Sequence, residues 1–165
     1  MKPKKIYIIG PIGSGKSTLS EVLSKKLKIK RYSLDDIRFK RKFNIIRDEK
    51  DILKKINDIL IKNKWIIEGA QANQPWVATI AKQAEAVIWL DKPTHVLAWR
   101  IIKRTLTTKR ARDGVSRLTH TAKLLYWLTK YRKHSMPSHK RVIETHKNGY
   151  QLKTNKQIEA FVDSL

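Results

Sequence analysis

The sequence contains no cysteine, and no apolar run in it approaches the length that crosses a membrane. The lack of cysteine excludes disulfides, thiolate metal sites, iron–sulfur clusters and cysteine nucleophiles. The basic residues 1–5 lead into only four apolar residues before Gly10, which is too few for a signal peptide. These absences predict a soluble, cytoplasmic protein that has no membrane partner.

Acidic residues are scarce. The 37 lysines and arginines outnumber the 14 acids, and the formal net charge is +23 at pH 7. Such a surplus is typical of proteins that bind a polyanion, for example nucleic acid or a phosphorylated ligand. A lysine-rich proteome would produce the same surplus, so composition alone leaves the partner open.

A chain of 165 residues predicts one domain with a sizeable core. Short apolar runs rich in β-branched residues alternate with segments of helical periodicity, which predicts an α/β protein with a parallel sheet and helices on both faces. The predicted strands cover residues 6–9, 30–33, 65–67, 86–90 and 150–153. The predicted helices cover about residues 16–28, 48–62, 74–82, 94–108 and 119–133, a segment after Pro137, and a last helix capped by Thr154.

The segment from Gly10 to Ser17 matches the pattern G-x-x-x-x-G-K-[ST], with a predicted strand before it and a predicted helix after it. Its glycines allow backbone N–H groups to surround phosphate oxygens, and the helix adds its positive end. In this pattern the lysine contacts the β- and γ-phosphates and the serine hydroxyl contacts Mg²⁺. The sequence therefore predicts a site for ATP and Mg²⁺ built from Gly10, Gly13, Ser14, Gly15, Lys16, Ser17 and Thr18.

Other classes of nucleoside triphosphatase do not fit the rest of the chain. The chain is too short for a motor or AAA domain, and it has no Asn-Lys-x-Asp segment for reading guanine. An Asp-Glu pair after a strand, typical of motor proteins, is also missing.

Three further segments resemble adenylate kinase and its small-kinase relatives: residues 65–69, residues 87–93, and the helix that contains Arg100 and Arg104. The resemblance covers residues 4–104. It implies a three-layer P-loop fold with a five-stranded parallel sheet in the order 2-3-1-4-5. It also implies a single domain over residues 1–165 with a short basic lid at about residues 105–118.

A narrower resemblance is to the bacterial adenylate-kinase-like group known as DNA topology modulation proteins. It rests on Leu34-Asp35, on the Trp-Ile-Ile-acid-Gly segment at residues 65–69, and on Leu90-Asp91 followed by Trp99-Arg100.

The resemblance implies roles for carboxylates at the strand ends. Asp35 would orient or deprotonate the hydroxyl of a phosphate acceptor, and Arg38 would pair with an anionic acceptor. Glu68 would hold Mg²⁺ through water or contact the acceptor, and Asp91 would assist it. For Asp35, Glu68 and Asp91, capping a helix or a strand end is the alternative reading.

The resemblance also implies roles for arginines, whose planar cationic group suits both bases and phosphates. Arg100 would lie against the adenine, Arg104 would approach the transferring phosphate, and Arg112 would act from the lid. Residues 100–141 contain 13 lysines and arginines and a single acid, Asp113. A solvated basic surface is the alternative reading of this segment.

Two functions follow. The first is an ATP-dependent kinase that phosphorylates a nucleotide, a nucleoside or another small hydroxyl compound. AMP itself fits poorly, because no arginine follows Glu68-Gly69 where adenylate kinases have one. The second is an ATP-gated nucleic-acid-binding protein that uses the basic second half, where Tyr126, Trp127 and Tyr131 alternate with lysines and arginines. Their spacing favours a buried position for these aromatics, and the oligomeric state stays open.

Overall fold

A five-stranded parallel sheet lies at the centre of the fold. The computed structural model describes residues 2–41, 45–71, 74–107 and 117–165. The strands, in chain order, are β1 (Lys5–Ile9), β2 (Arg31–Ser33), β3 (Phe39–Arg41), β4 (Ile45–Ile46), β5 (Trp65–Glu68), β6 (Ala86–Leu90) and β7 (Gly149–Leu152). Strands β3 and β4 form a separate antiparallel pair, and the other five form the sheet in the order β2-β5-β1-β6-β7. The predicted order, 2-3-1-4-5 counting these five strands alone, is confirmed.

Helices cover both faces of this sheet, which gives the predicted three layers. They are α1 (Lys16–Leu27), α2 (Leu34–Arg38), α3 (Glu49–Leu60), α4 (Trp76–Gln83), α5 (Thr94–Thr107), α6 (Arg117–Lys130), α7 (Met136–Thr145) and α8 (Asn155–Asp163). Apolar residues of α1 and α8 pack on one face of the sheet. Those of α3, α4 and α7 pack on the other face.

The central strands have apolar side chains on both sides because both faces are covered. Ile6, Tyr7, Ile8 and Ile9 of β1 are fully buried, and all five residues of β6 are buried as well. In a parallel sheet the carboxyl ends of the strands meet at one edge, where open α/β sheets bind ligands. This edge carries Gly10, Glu68 and Asp91, which directly follow or end β1, β5 and β6.

The structure departs from the predicted elements in two places. The short helix α2 and the hairpin β3–β4 were not predicted, because neither has enough residues to show a period. The predicted helix at Pro137 is present as α7, but no gap separates it from the helix before it. A single π-helical turn, Tyr131–Ser135, joins α6 to α7, and Pro137 lies in the first turn of α7, where its missing N–H costs no hydrogen bond.

The predicted burial of the α6 aromatics is wrong for two of the three. Tyr126 and Trp127 are each 55% exposed, whereas Tyr131 is buried. Helix α6 turns another face inward, which packs against Leu97 and Ile101 of α5. That inner face consists of Leu124, Leu125 and Leu128.

Most of the predicted lid, residues 108–116, lies outside the described residues, and so does the predicted site residue Arg112. The single-domain organisation stays a prediction. In the described part of the chain, none of the helices has the length and apolar character that a membrane span requires.

A chain of hydrogen bonds links the last helices to the sheet. Trp89 Nε1 donates to the Tyr131 hydroxyl at 2.9 Å, and this hydroxyl lies 2.7 Å from Nδ1 of His139. An indole N–H can only donate, so the Tyr131 oxygen accepts from Trp89, and the same hydroxyl forms a hydrogen bond with Nδ1 of His139. Burial, aided by the charge of Lys16, lowers the pKa of His139 to about 3.

Removing the Tyr131 hydroxyl should destabilise the fold. Tyr131→Phe leaves the buried Trp89 N–H and His139 Nδ1 without partners, and we expect a loss of about 1–3 kcal/mol in the free energy of unfolding. Urea denaturation followed by tryptophan fluorescence measures it. Tyr126→Phe removes the same atom from an exposed site of the adjoining helix and should change stability little. Equal effects of the two variants would contradict the role assigned to this chain of hydrogen bonds.

His139 should also make stability depend on pH. In the unfolded chain this imidazole gains a proton below its ordinary pKa of 6.5, whereas the folded protein resists protonation down to about pH 3. The free energy of unfolding therefore decreases as the pH falls below 6.5, and the decrease is about 2 kcal/mol at pH 5. Between pH 7.5 and pH 5, wild-type protein should lose about 2 kcal/mol more unfolding free energy than His139→Asn, which keeps a hydrogen-bonding side chain next to Tyr131. Urea denaturation at each pH measures this. If wild type and His139→Asn lost the same unfolding free energy between pH 7.5 and pH 5, the role assigned to His139 would be refuted.

Candidate functional site

A glycine-rich loop joins β1 to α1 and forms the centre of the candidate site. Gly10, Gly13 and Gly15 have φ angles of +147°, +78° and +99°. These values favour glycine, and at Gly10 a Cβ atom would also lie 2.7 Å from the Leu90 carbonyl oxygen. The loop therefore lies tightly against the end of β6. Helix α1 begins directly after it at Lys16, as predicted.

The Lys16 ammonium is the point at which several predicted site residues meet. Its Nζ donates to the Pro11 carbonyl oxygen at 2.8 Å. Burial lowers the pKa of Lys16, the negative charges of Glu68 and Asp35 oppose this shift, and the positive charge of Arg104 adds to it. Three charged residues from β5, α2 and α5 are thus close enough to act on one P-loop lysine.

Glu68 and Ser17 form a direct contact beside this lysine. The Ser17 hydroxyl donates to Oε1 of Glu68 at 3.1 Å, and Glu68 is only 5% exposed. Hydroxyl and carboxylate oxygens are the hard ligands that Mg²⁺ prefers, so this pair fits the metal that accompanies ATP. The described residues contain no group of three or more histidines and acids that would hold a metal. Mg²⁺ would therefore take most of its ligands from phosphates and water.

Asp35 lies in the first turn of α2, where its carboxylate has a specific partner. Oδ1 of Asp35 accepts a hydrogen bond from Nε2 of Gln71 at 3.1 Å. The other amide atom, Oε1 of Gln71, is buried without a hydrogen-bond partner. The helix cap is Ser33, so the side chain of Asp35 is not used as a cap. Gln71 belongs to no motif, so it was not predicted as a site residue.

The hairpin β3–β4 brings a second arginine to the end of α2. The backbone N–H of Arg47 donates to the Arg38 carbonyl oxygen at 2.8 Å, and Nε of Arg47 is buried without a partner. The guanidinium of Arg38 lies 5.6 Å from the centre of the Phe39 ring. Arg38 was a predicted site residue. Arg47 was not, because its place beside Arg38 depends on a hairpin that periodicity does not show.

Asp91 is directed toward β7 and not toward the pair formed by Ser17 and Glu68. Its Oδ2 accepts from Nε2 of Gln151 at 2.9 Å, and its Oδ1 is buried without a partner. The described contacts therefore support the structural reading of Asp91 better than a role near Mg²⁺.

A cavity of about 730 Å³ lies beside the glycine-rich loop, between α1 and α8. Ser14, Gly15 and Thr18 line its inner end, next to Arg100 and Asn155. Nη1 of Arg100 lies 3.5 Å from the Ser14 carbonyl oxygen, which fixes this arginine at the end of the loop. Arg100 was a predicted site residue, whereas Asn155 was not. The available signal for Asn155 was the predicted cap at Thr154, which is confirmed with a complete capping box.

Comparisons with known proteins support the fold. No family model matches the sequence. The uncharacterized protein YqaC of Bacillus subtilis is 27% identical over 148 residues, which cover 87% of this chain and 81% of that protein.

Among solved structures, shikimate kinase from Bacteroides thetaiotaomicron matches with a TM-score of 0.62 at 16% identity, over 99% of this chain and 96% of that chain. Shikimate kinase from Acinetobacter baumannii in complex with shikimate matches with a TM-score of 0.58 at 19% identity, over 96% and 88%. The chain therefore has a P-loop kinase fold. The narrower likeness to topology modulation proteins stays a prediction.

Proposed function

We propose that this protein is a kinase that transfers the γ-phosphoryl group of ATP to a hydroxyl group of a small anionic compound. The main support is the surroundings of Lys16, where the charges of Glu68, Asp35 and Arg104 act on one P-loop lysine. A protein that only binds ATP has no need for a second carboxylate from α2 beside the phosphates. In a kinase this carboxylate faces the acceptor.

The triphosphate binds in the glycine-rich loop, where the backbone N–H groups and the start of α1 attract its oxygens. Lys16 leaves the Pro11 carbonyl and contacts the β- and γ-phosphates. The Ser17 hydroxyl, and Glu68 through water, would hold Mg²⁺, which would neutralise charge on the phosphates when ATP is bound. Arg104 lies near enough to stabilise the charge that develops on the transferring group.

The acceptor binds between α2 and the end of β5. Gln71 holds Asp35 in place, and Asp35 accepts the hydrogen bond of the acceptor hydroxyl. The hydroxyl oxygen attacks the γ-phosphorus, and the bond from that phosphorus to the bridging oxygen breaks. ADP leaves, and the hydroxyl proton passes to Asp35 and then to solvent. Phosphoryl transfer depends mainly on such positioning and on charge stabilisation.

Two observations favour an anionic acceptor that is smaller than a nucleotide. A backbone hydrogen bond joins Arg47 to Arg38 at the end of α2, the helix that carries Asp35, and a guanidinium suits carboxylate or phosphate. Helix α2 has only five residues, which leaves little structure to enclose a base. Shikimate, the ligand of the Acinetobacter baumannii neighbour, is a hydroxyl compound with one carboxylate and is the first acceptor to try.

The experiment offers labelled ATP and Mg²⁺ with shikimate, other hydroxy acids, nucleosides, nucleoside monophosphates and oligonucleotides with a 5′-hydroxyl. We expect label to pass to a small hydroxy acid. Asp35→Asn should lower kcat by about 100-fold or more with little change in the Kd of ATP, because it removes the proton acceptor. Lys16→Ala should lower kcat by orders of magnitude, whereas Lys25→Ala, an exposed lysine of the same helix, should not.

If the protein binds ATP but transfers label to none of these acceptors, the proposed kinase activity is refuted. If label passes only to an oligonucleotide with a 5′-hydroxyl, the proposal that the acceptor is a small compound is refuted. Full activity of Asp35→Asn would refute the role of Asp35.

A second candidate function, binding of single-stranded nucleic acid, is favoured by the outer face of α6. Tyr126 and Trp127 are exposed, their rings lie 6.1 Å apart, and the ammonium of Lys130 lies 5.4 Å from the centre of the Tyr126 ring. Exposed aromatic rings next to lysines suit stacked bases and their phosphates.

Trp127→Ala should weaken binding of a labelled single-stranded oligonucleotide about tenfold, the effect of one lost stacked base. Ile61→Ala, which removes an exposed apolar side chain from the end of α3, should not. Fluorescence anisotropy over a series of salt concentrations measures both. Absence of binding at physiological salt, or equal affinity of Trp127→Ala and wild type, would exclude this function.

A further inference from the structure

The cavity beside the glycine-rich loop contains a group of side chains that the phosphoryl transfer does not use. Lys92 directly follows β6 and Asp91, and it is only 3% exposed. Its Nζ donates to Oδ1 of Asn155 at 2.6 Å, and in the described part of the chain no carboxylate pairs with it. Burial and the positive charge of Arg100 both lower the pKa of Lys92. A lysine in this position is costly for the fold, which suggests that its contact has a use.

We propose that Asn155 recognises the base of the bound nucleotide and that Lys92 is the residue that positions it. This inference rests on the proposed function, because it requires a nucleotide in the glycine-rich loop. It adds to that function a hydrogen bond that holds the nucleoside and not the phosphates.

The direction of the Asn155 amide follows from its partners. Nη2 of Arg100 lies 3.4 Å from the same Oδ1 atom that accepts from Lys92. Ammonium and guanidinium groups can only donate hydrogen bonds, so the amide oxygen must face both cations. The Nδ2 group then faces the other way with two N–H donors, and no described residue accepts from it.

The cavity places these donors beside the nucleoside. A triphosphate in the glycine-rich loop directs its sugar and base past Ser14 and Thr18, and these two residues line the same cavity as Arg100 and Asn155. The volume of about 730 Å³ is ample for a nucleoside. Arg100, anchored at the Ser14 carbonyl, can lie flat against a base.

A second polar group completes the pattern. Glu159 lies one helical turn after Asn155 and lines the same cavity. Together the two side chains offer a donor next to an acceptor. Adenine presents the matching pair, a ring nitrogen that accepts next to an amino group that donates.

The decisive variant is Asn155→Asp. A carboxylate keeps the oxygen that Lys92 and Arg100 hold and attracts both cations more strongly, and it is favourable in the first turn of a helix. It removes only the two N–H donors. If Asn155 served the fold alone, this variant would bind nucleotide as wild type does. The matched control is Asn63→Asp, which adds the same charge at an exposed turn after α3.

The measurement compares the Kd of ATP with that of inorganic tripolyphosphate, which occupies the loop and has no base. For Asn155→Asp we expect the affinity for ATP, relative to that for tripolyphosphate, to fall about tenfold, as for one lost hydrogen bond. The Tm should be unchanged or higher. The control should leave the ratio of the two affinities unchanged.

Lys92→Met tests the positioning role. It removes the ammonium and keeps a chain of similar length, so the amide of Asn155 is no longer held. We expect a lower ATP affinity with little change for tripolyphosphate, and a smaller additional effect of Asn155→Asp in the Lys92→Met background than in wild type.

Each of the following outcomes would overturn one part of the proposal. If Asn155→Asp leaves the ratio of the affinities for ATP and tripolyphosphate unchanged, recognition of the base by Asn155 is overturned. The proposed kinase activity is not affected by that result. An equal loss for both ligands in Lys92→Met shows a general effect of charge and overturns the positioning role. A wild-type protein that binds neither ligand overturns this inference together with the proposed function.

Discussion

The structure depends on one constraint, the need to accommodate a partly buried ammonium group at the end of the sheet. Lys16 is half-buried, and nearby negative charge and a carbonyl oxygen offset the loss of water around its charged form. Glu68 from β5 and Asp35 from α2 supply the charge, which requires both elements to end at the same place. The parallel order β2-β5-β1 meets this requirement, because neighbouring strands bring these ends together.

The same packing explains why the loop is rich in glycine. A side chain at Gly10 would meet the backbone of Leu90, the last residue of β6, so the loop can approach the strand only without one. On its other side Arg100 reaches the Ser14 carbonyl. The loop and the cavity beside it therefore share Arg100 as a common contact. In the proposed function, changes at Arg100 or Lys92 would affect binding of the nucleoside more than binding of the acceptor.

Much of this was predictable from local sequence. The glycine-rich loop with Lys16 and Ser17, and the positions of the five strands, follow from a short motif and from periodicity. The order of the strands and the places of Glu68 and Arg100 follow from the resemblance to small kinases. Gln71, Arg47 and Asn155 did not follow, because each owes its position to a contact across 36, 9 or 63 residues of chain. The outward face of α6 was missed for another reason. Its five consecutive apolar residues, 124–128, point in every direction around the helix, so periodicity cannot select the buried side.

The positions of individual lysines and arginines in the structure are more informative than the net positive charge counted from composition. The described chain has few acid partners for its basic residues. Lys16 directly follows the glycine-rich loop, Arg38 and Arg47 lie next to each other at the end of α2, and Lys92 shares one amide oxygen with Arg100. Lys92 is buried and pairs with no carboxylate in the described part of the chain, which is unfavourable in the isolated protein. In the proposed function, phosphates and a small anion at this edge of the sheet would supply negative charge near these cations and stabilise the fold on binding.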